Sequence, residues 1–405
     1  MTALAAGRVS GPAPAATGRR RLLVVVADQA VNSVTNVVVV LVVAAAVPLA
    51  QFGVFAAVTL AVQLTQSVAG AGIGDRVLQA APERREARYA TGSRVLDLAA
   101  GLGVGVAVLA VLAFDASPWL VACALAPAAA RVDLWRVRTI ADGRTTSAFG
   151  VDLALGAGQV VGVVLWWRSG TPGGVGGAVA VWALVSLLTV LAVSLRRRAD
   201  HAGRAPLAEA VSVRYGVEMA AVNGAGQIAQ LAVTAQLGFT FSGTLRAAQV
   251  PFGIVVVLVL AARAVLIPAM RGASPEHARR LAWVAAGVAV AAAGVFTVVT
   301  VVASAVPPLR FLVGGVHLQT WFVVLLGLGY AAVGGGMVHT YFLRARHRDR
   351  EVSVGRAVML VLLAAGTVAA VITRSSWVFL ATLAVSWAVA SAVMAVVTPE
   401  TPASR

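Results

Sequence analysis

Apolar runs long enough to cross a bilayer recur along the whole chain, and nothing else constrains its fold as strongly. Twelve such stretches run across 22–47, 53–73, 95–114, 118–138, 148–167, 176–195, 215–238, 244–268, 281–303, 309–342, 352–373 and 376–397. A helix needs about 20 apolar residues to span the hydrocarbon. Within hydrocarbon, backbone N–H and C=O groups must be satisfied internally, and runs of this length select helices over barrel strands. The sequence therefore predicts an all-α integral membrane protein with about twelve transmembrane helices. The fourth and tenth runs are the weakest, so ten or eleven spans is the alternative count. The fourth contains Arg131, Asp133 and Arg136, and the tenth is interrupted by Gly314-Gly315 and Gly334-Gly335-Gly336. Charged residues make up 12% of the chain, about half the share a soluble domain uses to cover its surface.

The net charge of +16 would by itself suggest nucleic acid, but the arrangement of the charge points elsewhere. All 32 basic residues are arginine. With the N-terminus in the cytoplasm, twenty-seven fall on inner segments, including Arg19, Arg20 and Arg21, the Arg196-Arg197-Arg198 run, and Arg344 to Arg356. Three fall on outer loops: Arg168, Arg310 and Arg374. Two, Arg246 and Arg263, lie inside the eighth run. This alternation is the positive-inside pattern of a twelve-span protein with both termini cytoplasmic, integral to a plasma membrane of bacterial type. The first run contains Asp28, Asn32 and Asn36 and extends about 25 residues, beyond the 7–15-residue core of a signal peptide; it reads as a retained span.

The expected organisation is a cytoplasmic tail (1–21), a six-helix bundle (22–195), a cytoplasmic linker (196–214), a second six-helix bundle (215–397) and a short tail (398–405). An offset of 190 residues aligns the two bundles faintly, setting Asp28 against Glu218 and Gly53 against Gly243. Six spans per repeat would leave both bundles in the same orientation, related by an axis along the membrane normal.

Polar residues inside the bilayer are costly and usually face a partner or a cavity. Asp28, Asn32, Thr35 and Asn36 share one face of the first helix by their spacing, and Gln63 and Gln66 mark a face of the second. Asn223, Gln227, Gln230 and Thr234 mark a face of the seventh, and Arg246 and Gln249 stand together on the eighth, with Arg263 further along. Arg131 and Asp152 lie within the fourth and fifth. The expected cavity set is Asp28, Asn32, Asn36, Gln63, Gln66, Arg131, Asp152, Glu218, Asn223, Gln227, Arg246, Gln249 and Arg263. An Arg131–Asp152 or Asp133–Arg136 pair would serve structure alone. Planar guanidinium groups bind phosphate and carboxylate bidentately, so arginines and amides together suit an anionic, hydroxyl-rich cargo. The lone Cys123 excludes an intrachain disulfide framework or a Cys-rich metal site, and no cofactor or metal is expected.

Several short segments carry a resemblance. Asp28-Gln29, then Ser33 and Thr35-Asn36, followed by Gln51-Phe52-Gly53-Val54-Phe55-Ala56, resembles the opening of polysaccharide exporters. Asp133-Leu134-Trp135-Arg136 with Ala141-Asp142-Gly143-Arg144 resembles their fourth helix and following loop, and Leu245-Arg246-Ala247-Ala248-Gln249 the start of their eighth. These exporters form the O-antigen and teichoic-acid flippase branch of the multidrug/oligosaccharidyl-lipid/polysaccharide (MOP) superfamily. The resemblance implies two six-helix bundles in a V around a central cavity. It implies export of polyprenyl-phosphate-linked oligosaccharide or polysaccharide precursors by alternating access, in contact with membrane lipids and polysaccharide-assembly proteins, and no role for nucleic acid. The chain departs from the family between helices 1 and 2, where Ala44-Ala45-Ala46-Val47-Pro48-Leu49 replaces a charged turn.

Three other readings compete. A major-facilitator transporter would carry glycines around the Gly74-Asp75-Arg76 triplet, where Ala71 and Leu78 stand instead. A drug antiporter of the MOP superfamily would use Asp28 or Glu218 for ion coupling. A membrane enzyme of envelope-sugar polymerisation would need polar loops or acid clusters for catalysis; the outer loops are short and hold one acid, Asp115.

Overall fold

The computed structural model describes residues 15–78, 80, 82–114, 119–195, 205–213, 216, 220, 224–346 and 348–396. Among these residues the chain is helical throughout and contains no strand. The first half comprises α1 (Ala15–Ala46), α2 (Leu49–Ala69), α3 (Pro82–Phe114), the short α4 (Trp119–Ala124), α5 (Ala126–Ala141), α6 (Thr145–Arg168) and α7 (Val175–Leu195). The one-turn α8 (Leu207–Ala210) lies in the linker. The second half comprises α9 (Ala225–Leu237), α10 (Phe239–Gln249), α11 (Gly253–Gly272), α12 (Pro275–Ala305), α13 (Thr320–Ala345), α14 (Asp349–Thr373) and α15 (Ser376–Val396).

Eight of the described helices are long and apolar enough to cross a bilayer: α2, α3, α6, α7, α12, α13, α14 and α15. Of the other four expected spans, the fourth and the eighth are interrupted. The first lies in α1, a continuous helix of 32 residues that carries Asp28 and Asn32 within it. The fourth is divided at Leu125, where α4 stops and α5 begins with Pro127 in its first turn. Much of the first part of the seventh lies outside the described residues, and its second part forms α9. The eighth is cut between α10 and α11 at Pro251, which has no N–H to donate and disfavours a continuous helix. Irregular backbone at membrane depth is tolerated where protein or a water-filled cavity surrounds it.

The tenth span corrects one expectation. Its start is a short 3-10 segment, Pro307–Val313, and the helix proper begins only at Thr320. The Gly334-Gly335-Gly336 run does not break α13, because neighbouring helices fill the space where side chains would stand. A Cβ at Gly334 would touch Ala289, and one at Gly336 would collide with the Ser391 hydroxyl.

In the first half α1 packs on α6, α2 and α3 on α5, and α6 on α7. In the second, α12 packs on α13, α14 on α15, α13 on α15 and α9 on α14. The halves meet chiefly where α2 crosses α10, with α1 also touching α11. At that crossing the backbones approach so closely that only glycine fits: a Cβ at Gly53 would overlap the Phe239 carbonyl, and one at Gly243 the Leu49 carbonyl. The two glycines set equivalent by the 190-residue offset thus lie against each other, the Gly53 nitrogen 3.1 Å from where a Gly243 Cβ would stand. α10 is shared by both cores. Ala247 is buried with Phe52, Phe55 and Val58 of the first half, and Leu245 and Ala248 with Phe322 and Phe379 of the second.

Candidate functional site

Two polar groups stand out, one in each half. In the first half, a close approach of α1 and α6 brings carboxylates together. Gly156 follows Asp152 by one turn of α6, and a Cβ there would collide with the Thr35 side chain. Its absence lets α1 settle near enough for the Asn32 amide Nδ2 to donate to Asp152 Oδ2 at 3.3 Å. Arg136 reaches in from α5. Its Nε lies 2.9 Å from Asp28 Oδ2 and 2.8 Å from Asp152 Oδ2, and a terminal guanidinium nitrogen also bonds Asp28 Oδ2. One guanidinium thus bridges carboxylates on two helices while rooted on a third. Asp28 and Asp152 are 1% and 3% exposed, and Asp28 Oδ1 is buried with no hydrogen-bond partner. Asp133 precedes Arg136 by one turn on α5, so the group holds three carboxyl groups and one arginine.

In the second half the sign is reversed. Arg246 lies in the last turn of α10, just before the Pro251 break, in electrostatic contact with the Tyr330 hydroxyl. Tyr330 stacks on Phe252 with ring centroids 4.8 Å apart. Gln249, also in that last turn, donates from Nε2 to Gln230 Oε1 on α9 at 3.4 Å. No carboxylate bridges to Arg246 among the described residues. Buried polar atoms are left over: Arg246 Nε, Gln227 Oε1 and Gln230 Nε2 have no hydrogen-bond partner. Buried polar atoms are nearly always paired in folded proteins, so three leftover atoms on neighbouring helices describe a surface ready to bind something polar.

The residues expected from sequence distribute unevenly over these groups. Asp28, Asn32 and Asp152 come together in the first, and Arg246, Gln249 and Gln227 belong to the second. Asn36 is exposed on α1, and Gln63 and Gln66 are half-buried on α2 without a hydrogen bond to a described residue. Arg131 turns away from Asp152 and pairs with Asp97 of α3 at 2.5 Å. The anticipated Arg131–Asp152 pair is therefore replaced by Arg136–Asp152, while Asp133 interacts electrostatically with Arg136 as anticipated and Asp28 joins that arginine by direct bonds. Glu218 and Asn223 lie outside the described residues, as does the side chain of Arg263 on α11. Arg136 is the residue that sequence reasoning missed. Its signal was its place three residues after Asp133, on the same helical face.

Around the first group a charged collar ties the helix ends together. Arg85 bonds Asp142 at 2.8 Å, Arg138 reaches Asp142 at 3.3 Å and also pairs with Glu86, and the Arg138 guanidinium sits over the Tyr89 ring. The linker joins this collar: Thr91 Oγ1 donates to the Ala205 carbonyl at 2.9 Å, and the Ser212 N–H to the Gly72 carbonyl at 2.7 Å.

No protein-family model matches the chain, and no curated protein matches it by sequence. Solved structures do. An inward-facing conformation of a multidrug resistance MATE family transporter of the MOP superfamily superposes with a TM-score of 0.63 at 15% identity, covering 90% of this chain and 92% of that one. An outward-facing conformation of such a transporter gives 0.57, also at 15% identity, covering 94% and 93%. A MOP superfamily transporter from Pyrococcus furiosus, described as having a binding pocket of reverse polarity that suggests a different function, gives 0.50 at 16% identity, covering 94% and 93%. The fold is that of the MATE-type transporters.

Proposed function

We propose that the protein is a transporter in which the two helical halves rock against each other, closing and parting the α2–α10 junction and exposing a site between them alternately to the two sides of the membrane. Its cargo is a lipid-linked oligosaccharide or polysaccharide precursor of polyprenyl-phosphate type, moved as a flippase or exporter moves it. The protein acts in the plasma membrane with both termini cytoplasmic, alongside polysaccharide-assembly proteins, and catalyses no covalent step. The observation that carries this reading is the Arg246 group. An arginine with no carboxylate partner among the described residues and a helix break stand on the element the two halves share, beside two glutamines of α9 with unsatisfied buried atoms. A phosphate would take the free guanidinium edge in charge-assisted bonds, and the amides could bond sugar hydroxyls while the lipid tail stays in the bilayer. The likeness in fold to transporters caught inward-facing and outward-facing supports the rocking motion.

A second reading has its own observation. The buried Asp28–Asp152 carboxylates would suit an ion-coupled exporter of small molecules, and two of the similar structures are described as multidrug resistance transporters. Purified protein in proteoliposomes separates the two readings. One arm follows inward-to-outward movement of a polyprenyl-linked oligosaccharide by its exposure to an added glycosidase. The other follows a cationic dye under an imposed proton or sodium gradient. Flipping of the lipid-linked sugar supports the proposal; dye movement with a stationary sugar lipid overturns it and leaves the second reading.

A further inference from the structure

The first-half cluster bears on which ions the protein can use. Three carboxyl groups gather about Arg136, those of Asp28, Asp133 and Asp152, and the Asn32 amide bonds Asp152 from α1. Oxygen-rich sets of this kind are what hard metal cations bind. Here the cationic place is already taken. The Arg136 guanidinium lies within 2.9 Å of Asp28 Oδ2 and 2.8 Å of Asp152 Oδ2, held by a side chain rooted on α5. A guanidinium is charged at every accessible pH, cannot leave, and is planar, so it bridges two carboxylates in a way a spherical ion does not. One carboxylate oxygen, Asp28 Oδ1, remains buried and unpartnered on the same group.

We infer that Arg136 is a tethered counter-cation that makes this site refuse exchangeable metal cations, and that its removal would turn the cluster into a sodium site. The inference concerns ion selectivity. It rests on the transport reading only for its consequence, that movement of cargo by the unmodified protein does not require sodium. Arg136→Gln keeps a shorter polar side chain, ending at the level of the Arg136 Nε, and removes the charge, leaving the carboxylates and Asn32 to gather an ion from solution.

The test is a binding measurement independent of any cargo. The thermal unfolding midpoint of the purified full chain is followed as sodium chloride replaces choline chloride at constant ionic strength. The unmodified protein is expected to show no saturable change. Arg136→Gln is expected to unfold at lower temperature in choline and to regain stability saturably with sodium, by about 1–2 °C for each factor of roughly five to ten in the ratio of bound to free protein. Arg136→Lys keeps a charge, and is expected to remain insensitive to sodium. If Arg136→Gln does not fold, the unmodified protein and Arg136→Lys still decide: a saturable sodium response in either overturns the inference. A folded Arg136→Gln variant with no sodium response overturns it as well. If the sodium pattern holds while no lipid-linked sugar moves, the transport reading fails and this inference stands.

Discussion

Substituting Gly53 by alanine tests whether the α2–α10 crossing is a contact that must be broken in the transport cycle. An added Cβ would overlap the Phe239 carbonyl, a backbone atom that cannot swing aside as a long side chain can. Overpacking of a tight contact costs roughly 1–3 kcal/mol. At 1.4 kcal/mol per tenfold change, that shifts an equilibrium about 5- to 150-fold. The cost falls on the arrangement in which the halves touch here, and is relieved when they part, because α2 and α10 belong to different halves. The variant should therefore fold, and favour the state in which this junction is open. In a Cys123→Ser background, spin labels at Ala50→Cys and Thr240→Cys would report the distance across the junction in proteoliposomes. The short-distance population should fall in Gly53→Ala. Gly101→Ala on α3, where nothing stands within 4 Å of an added Cβ, should leave it unchanged. A folded Gly53→Ala protein with an unaltered distance distribution would refute the reasoning.

Three further outcomes follow from the same geometry. Arg136→Ala strands two buried carboxylates; removing one partner of a buried ion pair costs roughly 3–5 kcal/mol, and because the Arg136 side chain is 21% exposed the loss should sit near the lower figure, read as a fall in unfolding temperature. Pro251→Ala restores the missing N–H at the break between α10 and α11; helix propensity favours it by up to about 3 kcal/mol, so the unfolding temperature should rise while transport falls about tenfold as Gln249 loses its place. Ser274→Ala removes the side-chain cap of α12, which accepts from the His277 N–H at 3.3 Å; about 1 kcal/mol of stability should be lost with transport intact.

Much of the architecture was legible because bilayer length is a one-dimensional constraint: a run either reaches across or does not. The eight helices that do are those with few polar interruptions. The remaining four expected spans, the first, fourth, seventh and eighth, combine apolar runs with the residues of the two polar groups. Two of them are broken, at Leu125 and at Pro251, and an apolar run alone does not show where a helix stops within it. Asp28 and Asp152 were legible because isolated acids in hydrocarbon are rare. Arg131 and Arg136 were not distinguishable by sequence, although five residues on a helix place them about 140° apart. Only the packing of α5 between α3 and α6 decides that Arg131 meets Asp97 and Arg136 meets Asp152. The glutamines of α2 matched the pattern of a polar stripe, yet make no hydrogen bond with the described residues. Periodicity identifies a face, and the neighbours of that face decide what it does. The closeness of Gly53 and Gly243 was hidden too, since a glycine in a run does not reveal whether a backbone lies against it.

The most direct test of the account is the effect of Arg246 on movement of a polyprenyl-phosphate-linked oligosaccharide in proteoliposomes. The guanidinium has a buried nitrogen without a hydrogen-bond partner, so its removal should leave the fold intact and take away the anchor for the cargo's phosphate. Arg246→Ala should lower the initial rate at least tenfold, and Arg246→Lys, which keeps the charge without the planar fork, should recover part of it. A rate equal to that of the unmodified protein in a folded Arg246→Ala variant would contradict the account.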